Sequence, residues 1–430
     1  MRQMKDSGIE WIGEIPKEWE VCKLGFAYKF QTGATPPTKR LELFEGDCLW
    51  ANISDLNNRV IYQTKKHLSN EGVSLCSMDI SPKGSLMYSF KLSVGTVAFC
   101  GADMYTNEAI ATFLESKHSL DFLFYMSQLC IIHNANTNIY GAPILNQDLI
   151  KSAKIVLPPV NEQKKISKFL DSKFSDINSL ISIQEEMIAE LQAYKQSLII
   201  KAVTKGLNEH VKLKDSEVTW LGDIPSSWSV TPIRTIFKKR NEKNTPIKTK
   251  ERLSLSIGLG ITKYEDKTTN LDRFKDDFTQ YQLAYPEDIV LNSMNMIVGA
   301  VGKSSFFGCV SPVYYVIQCS ENCSASYYAY LLNTPTIRQV YHSLGRGIYA
   351  IERGDGRVNT CRLKVPYYDF SIINIPVPCL EEQKEIAAFL DYKCSEIDDL
   401  IAIKREKISG FNEYKKSLIF ECVTGKREIN

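Results

Sequence analysis

Asp6-Ser7-Gly8-Ile9-Glu10-Trp11-Ile12-Gly13-Glu14-Ile15-Pro16, followed by Trp19, opens the chain. The phrase is written again as Asp215-Ser216-Glu217-Val218-Thr219-Trp220-Leu221-Gly222-Asp223-Ile224-Pro225, followed by Trp228. Far downstream of each copy lies a second shared phrase. Glu162-Gln163-Lys164-Lys165-Ile166 with Phe169-Leu170-Asp171 returns as Glu382-Gln383-Lys384-Glu385-Ile386 with Phe389-Leu390-Asp391. The chain is a tandem duplication whose period far exceeds the roughly 20–50 residues of a solenoid, so each half is a domain plus a connector. The stretches between the shared phrases do not resemble each other. One scaffold built twice around two unlike inserts is the pattern of two recognition tasks held in one frame.

After Pro158-Pro159 the composition changes. Residues 162–202 contain no Gly or Pro and carry an apolar stripe that includes Phe169, Leu170, Ile177, Ile181 and Leu191. From Ile177 an a/d spacing (177, 180, 184, 187, 191, 194, 198) holds for about three heptads, and the stretch predicts a helix roughly 60 Å long that stops near Gly206. A second rod spans 382–423, apolar at Phe389, Leu390, Ile397, Ile401 and Phe411 among others. Alone, either stripe would leave a large apolar face in water, so the two are expected to pack on each other; the alternative is that each packs only on its own domain. Gln184 and Lys404 place polar groups within the stripes, either to set register or as side chains snorkelling at the seam edge.

The inserts read differently. Short β-like runs at Gly46–Ile53, Gly84–Tyr88 and Leu92–Cys100 are broken by turn residues, with one helix expected from Ser119 to about His133. The second insert, about 231 to 375, is again strand-rich, with a helix expected from Ser324 to Leu344. At 430 residues, 44% hydrophobic and 24% charged, the chain has the make-up of a soluble globular protein of two to four domains. A formal charge of +2 implies no special partner, so any nucleic-acid surface must be a local basic face. The start lacks a signal-peptide core, no run is long enough for a membrane helix, and twelve scattered cysteines without a CxxC pair are expected as reduced thiols of a cytoplasmic protein.

Catalytic signatures are missing. Gly299-Ala300-Val301-Gly302-Lys303-Ser304 resembles a phosphate loop, but Ile297 stands where the first glycine belongs and strand-and-turn residues follow where a helix is needed. Gly258-Leu259-Gly260 lacks the third glycine of a dinucleotide fingerprint. The five histidines sit apart, no catalytic or metal residue is assigned, and no cofactor is expected in this chain. What the inserts do hold is turn-presented polar and basic residues. In the first these are Thr35, Thr38, Lys39 and Arg40 after Gln31-Thr32-Gly33-Ala34, and Asn136, Asn138 and Tyr140. In the second they are Lys248 and Lys250 near Lys238-Lys239-Arg240, then Asn292 and Asn295, then Arg346, Tyr349, Arg353 and Arg357. Amides and guanidinium groups match base edges in the major groove, and lysines match phosphates. Any single one of them could be a solvated turn; the sets, in two unlike inserts, point to DNA.

The combination resembles the specificity subunit of a type I restriction–modification system, across essentially the whole chain. The similarity is carried by the two Trp-x-Gly-x-Ile-Pro-x-x-Trp phrases, Thr32-Gly33-Ala34-Thr35-Pro36, Trp50-Ala51-Asn52-Ile53-Ser54-Asp55-Leu56, Thr106-Asn107-Glu108 and Gly141-Ala142-Pro143-Ile144-Leu145-Asn146-Gln147. It also includes Leu157-Pro158-Pro159, Gly299-Ala300-Val301-Gly302, Val310-Ser311-Pro312-Val313-Tyr314 and the two Glu-Gln phrases. The second insert lacks a Gly-Ala-Thr-Pro loop, so contact positions do not transfer between halves. The resemblance implies an α+β fold: two strand-rich target-recognition domains joined by two long helices packed as an antiparallel coiled coil, with an internal pseudo-twofold repeat. The expected segments are 1–157 and 207–378 for recognition, and 158–206 and 379–430 for the helices. The resemblance further implies a non-catalytic subunit that reads a bipartite site in double-stranded DNA. The helices would fix the spacer and, with Trp11, Trp19, Trp220 and Trp228, dock two modification subunits. S-adenosylmethionine would belong to those subunits, and ATP and Mg²⁺ to restriction subunits. The rival readings are an assembly scaffold, a stand-alone DNA-binding protein and an enzyme with an unrecognised centre.

Overall fold

The computed structural model describes residues 2–91, 93–137, 141–258, 260–267, 277–347 and 363–429. They form two compact units: residues 1–184 with 406–430, and residues 185–405. The two long helices, Val160–Lys205 and Leu380–Val423, contribute to both. Each begins directly after a proline-bearing strand end and stops before a glycine in the left-handed region, Gly206 at φ +74° and Gly425 at φ +72°. A left-handed residue after the last turn is where glycine is least strained.

In the first unit, strand Glu20–Lys23 pairs antiparallel with Lys154–Leu157 and closes the insert into a loop-out from a fixed base. The insert holds a five-stranded sheet in the order Phe30–Thr32, Ile110–Phe113, Leu86–Ser89, Val97–Cys100, Val60–Ile61. A three-stranded sheet of Tyr105–Thr106, Cys48–Ala51 and Lys66–Leu68 stands beside it. Helix Leu120–Cys130, capped by the Ser119 hydroxyl, packs Phe122, Leu123, Tyr125 and Met126 against the sheet. The same core takes in Ile166 and Leu170 from the start of the first long helix, and Leu418, Ile419, Cys422 and Val423 from the end of the second. Within this unit the two helices therefore run antiparallel.

The second unit repeats the base with strands Ser229–Pro232 and Asn374–Val377. Its insert is unlike the first: a four-stranded sheet in the order Phe237–Lys239, Tyr314–Cys319, Ile289–Asn292, Val301–Lys303, flanked by two-stranded ribbons. The core again joins opposite helix ends, Ile386, Ala387, Leu390 and Cys394 with Ile199, Ala202 and Val203. Gly299-Ala300-Val301-Gly302-Lys303 runs from a turn into a strand.

Three expectations are corrected. The helix expected over 324–344 is two helices, Ala325–Leu331 and Pro335–Leu344, because Pro335 cannot continue a helix but suits a first turn, with the Thr334 hydroxyl as its cap. The helix seam does not use 180, 187 and 194. The less exposed positions are 177, 181, 184, 188, 191, 195 and 198, matched by 397, 401, 404, 408, 411, 415 and 418, while Leu180, Met187 and Tyr194 face solvent. Both candidate registers share 177, 184, 191 and 198, and adjacent apolar pairs such as Leu180-Ile181 leave a single stripe ambiguous. The partner helix decides it, with Lys195 at a seam position paired to Asp398 at 2.6 Å. Finally, Cys319 and Cys323, expected as thiols, are joined as a disulfide across the turn between a strand end and a helix cap.

Candidate nucleic-acid interface

The repeated phrases hold the bases of the two inserts by the same contacts. Trp19 is buried and its indole N–H donates to Glu162 at 3.1 Å; Trp228 is buried and donates to Glu382 at 2.8 Å. Gln163, fully buried, accepts from the Ser119 backbone N–H (2.9 Å) and donates to the Pro158 carbonyl (2.8 Å). Gln383 does the same with Ser324 (2.8 Å) and Pro378 (2.9 Å). Each Glu-Gln pair thus ties the start of a long helix to the aromatic phrase and to the cap of an insert helix. Gly425 lies against Trp19, and Gly206 against Trp228. Trp11 stacks on His133 at 4.3 Å, and Trp220 is half-buried. Trp19 and Trp228 are therefore interior residues, which corrects the reading of them as docking surface.

On the first base, three separate sequence motifs form one structure. Gly33 passes so close to Thr106 that a Cβ would overlap its carbonyl, and Ala34 N–H donates to that carbonyl at 3.0 Å. The Trp50 indole donates to the Ala34 carbonyl (3.1 Å), Asn107 donates to Asn52 (3.2 Å), and Asn52 caps a short turn with Asp55. Thr35 donates to Glu108, and this hydrogen bond first of all holds the Glu108 carboxyl below its ordinary range. Gln147 donates to Thr32 at 2.8 Å. These motifs build the platform. Thr38, Lys39 and Arg40 project beyond it and are exposed, although Arg40 is paired with Glu42 and Glu71, both at 2.7 Å. Asn136 is exposed on the short ribbon with Pro143–Ile144.

In the second insert Lys250 and Asn295 are exposed, Lys248 pairs with Glu242 at 2.5 Å, and Arg346 pairs with Asp369 at 2.7 Å. Asn292 is a further correction: it is buried at the end of its strand, where its side chain accepts from Met294 N–H to close a turn. The basic run 238–240 is partly internal as well. Arg240 makes a two-pronged pair with Asp288 (2.7 and 3.0 Å), and Lys239 lies over Tyr367 at 4.8 Å. Asn138, Tyr140, Tyr349, Arg353 and Arg357 fall outside the described residues.

One cluster is invisible to sequence spacing because its members lie far apart in the chain. Tyr125 and Asp171 bond each other and together receive Arg59, whose guanidinium lies 4.6 Å from the Phe124 ring. The matched pair Tyr330 and Asp391 is bonded at 2.7 Å and lines an open cleft of about 500 Å³ that Arg338 also lines.

Two compact units, each a repeated base carrying its own strand-rich insert, make up an internally duplicated protein. The type I restriction modification DNA specificity domain matches residues 16–192. The chain is 25% identical to the MjaVIII type I restriction enzyme specificity subunit of Methanocaldococcus jannaschii, over 96% of this chain and 94% of that one. It is 28% identical to the putative MjaX specificity subunit of the same organism, over 74% and 69%. Among solved structures, one from a study of assembly and conformational transition of the type I R-M system aligns at a TM-score of 0.67 and 14% identity, covering 96% of this chain and 99% of the other. The HsdS subunit from Thermoanaerobacter tengcongensis aligns at 0.51 and 15%, covering 96% and 98%. At those identities the structures speak for the fold alone. Together the matches make the chain similar, over most of its length, to specificity subunits of type I restriction–modification systems. Among the described residues no helix is long and apolar enough to cross a membrane.

Proposed function

We propose that the chain is the sequence-reading, non-catalytic subunit of a type I restriction–modification complex in the cytoplasm, the first insert reading one half of a bipartite duplex target and the second insert the other. The observation that carries this reading is the duplicated base: the same Trp–Glu and Gln–backbone contacts hold two inserts whose sheets share neither strand number nor order. A protein that needed one binding activity twice would repeat the insert too. The helix residues shared by both units would set the gap between half-sites. S-adenosylmethionine, ATP and Mg²⁺ chemistry would be supplied by partner subunits.

The long helices support the docking of two like modification subunits. Outside the seam, the first unit exposes Leu180, Ile183 and Tyr414, and the second exposes the matched Leu400, Ile403 and Tyr194. Equivalent apolar patches, one per unit, fit one copy of the same partner each. The test is to assemble the chain with its modification subunits and select bound duplexes from a random library. One split motif with a constant gap is expected. Retention that ignores sequence would instead favour an assembly scaffold.

A further inference from the structure

The base of the first unit carries a cation cluster that the recognition loops do not account for. Strand pairing sets Lys23 directly opposite Lys154, an arrangement that destabilises a sheet unless something offsets it. Lys23, Lys29 and Lys151 line a cleft of about 500 Å³ with Phe26, Phe30 and a single acid, Asp148. Phe26 is 83% exposed. Among the described residues the ion pairs of this unit are made by Arg2, Arg40, Arg59, Lys173 and Arg427, and none by these lysines. Phe30 starts the strand that feeds the Thr35–Arg40 loop, so the cleft adjoins the first recognition platform.

Among the described residues, the second unit lacks the cluster at the matched positions. At the matched positions Pro232 stands opposite Asn374, and Thr235 and Ser371 replace Phe26 and Lys151; only Lys238, in place of Lys29, keeps its charge. A cation cluster kept by the protein's general need for solubility would have no reason to sit on one copy of a repeated base.

We infer that this cleft grips the phosphodiester backbone of duplex DNA beside the bases read by the first insert, with the lysines on phosphates and Phe26 against a sugar. The inference rests on the DNA reading proposed above and adds to it a sequence-independent anchor at one end of the target. Each neutralised phosphate steepens the dependence of log affinity on log salt by about 0.9, and phosphate contacts position a protein without reading sequence.

The test compares the assembled wild-type complex with the quadruple variant Lys23→Gln, Lys29→Gln, Lys151→Gln, Lys154→Gln, by fluorescence anisotropy on target and scrambled duplexes between about 50 and 200 mM salt. Affinity for both duplexes should fall by the same factor, roughly tenfold or more, and the salt slope should decrease by about 2–4. Phe26→Ala should weaken both duplexes by a smaller, equal factor and leave the slope unchanged. The urea midpoint of the quadruple variant should hold or rise, because a like-charge pair is removed. An unchanged slope in a folded variant overturns the inference. So does a loss confined to the target duplex, or a loss of modification subunits with DNA affinity intact, which would assign the patch to an acidic protein surface. A wild-type complex that cannot tell target from scrambled DNA contradicts the functional reading itself rather than the patch alone.

Discussion

The bases of the two units share their main buried contacts, while their inserts share almost nothing. Trp19–Glu162 and Trp228–Glu382, the Gln163 and Gln383 bridges, and the seams 177–198 and 397–418 are the same structure built twice. A five-stranded sheet with a Thr-Gly-Ala-Thr-Pro platform stands on one base and a four-stranded sheet with ribbons on the other. The difference separates two kinds of constraint. The base must satisfy buried indole, amide and carboxylate groups, and an unmade bond there costs about 1–3 kcal/mol, so few residues will do. The insert must only start and end at a fixed strand pair, which leaves its interior free to change.

The largest effect should come from altering both helices at once. Deleting one matched heptad from each, 184–190 and 404–410, shortens each helix by about 10 Å and keeps the seam in register. Selected DNA targets should keep both half-sites and shift to a gap shorter by roughly three base pairs at about 3.4 Å each. An unchanged gap would remove the helices from spacer setting.

Next, Gln163→Ala and Gln383→Ala should each lower stability by about 2 kcal/mol, by orphaning a buried N–H and carbonyl. The losses should be alike in urea unfolding of the full chain, with exchange protection falling in the first unit for one variant and in the second for the other. Unequal losses would show that the match is one of shape and not of energy.

A smaller effect sharpens the asymmetry. Arg59→Ala removes a bridge that, among the described residues, has no counterpart on Tyr330 and Asp391, at a cost of about 1 kcal/mol, since the pair with Asp171 is partly exposed and is joined by aromatic contacts. Protection should fall in the first unit alone.

The smallest effect is a pH dependence. Burial first, then Lys117, holds His118 below its ordinary value of 6.5, and Gln163 donates to its Nδ1, which suits a neutral ring. The unfolded chain takes up a proton near pH 6.5 that the folded chain resists, so stability is full above that pH and is lost as pH falls through the lowered folded value. The matched residue in the second unit is Cys323, which carries no such proton. His118→Gln should flatten the acid side of the first unit's unfolding profile, and an unaltered profile would exclude the linkage.

Much of the base was legible in the sequence because the duplication displays it. Glu162-Gln163 and Glu382-Gln383 announce shared structure, and the Gly- and Pro-free runs announce the helices. Their roles were not legible: nothing local says that Glu162 receives the indole of Trp19, some 140 residues earlier, or that Ile181 rather than Leu180 enters the seam. The candidate interface was legible as loops and less so as atoms. Arg40, Lys248 and Arg346 are basic turn residues as expected, yet each is held by a carboxylate, Glu71 and Asp369 far off in sequence and Glu242 six residues away. Asn292 reads as a loop amide but closes a buried turn, and the cluster around Phe26 depends on a strand register that sets Lys23 against Lys154.

The most direct test exchanges the second insert, residues 231–375, for that of another specificity subunit, leaving both bases and helices intact, and maps methylated adenines genome-wide in cells that also express the modification subunits. The account predicts a split motif in which one half is replaced, the other half is kept, and the gap is constant. A motif changed in both halves, or unchanged, would contradict the assignment of one half-site to each insert.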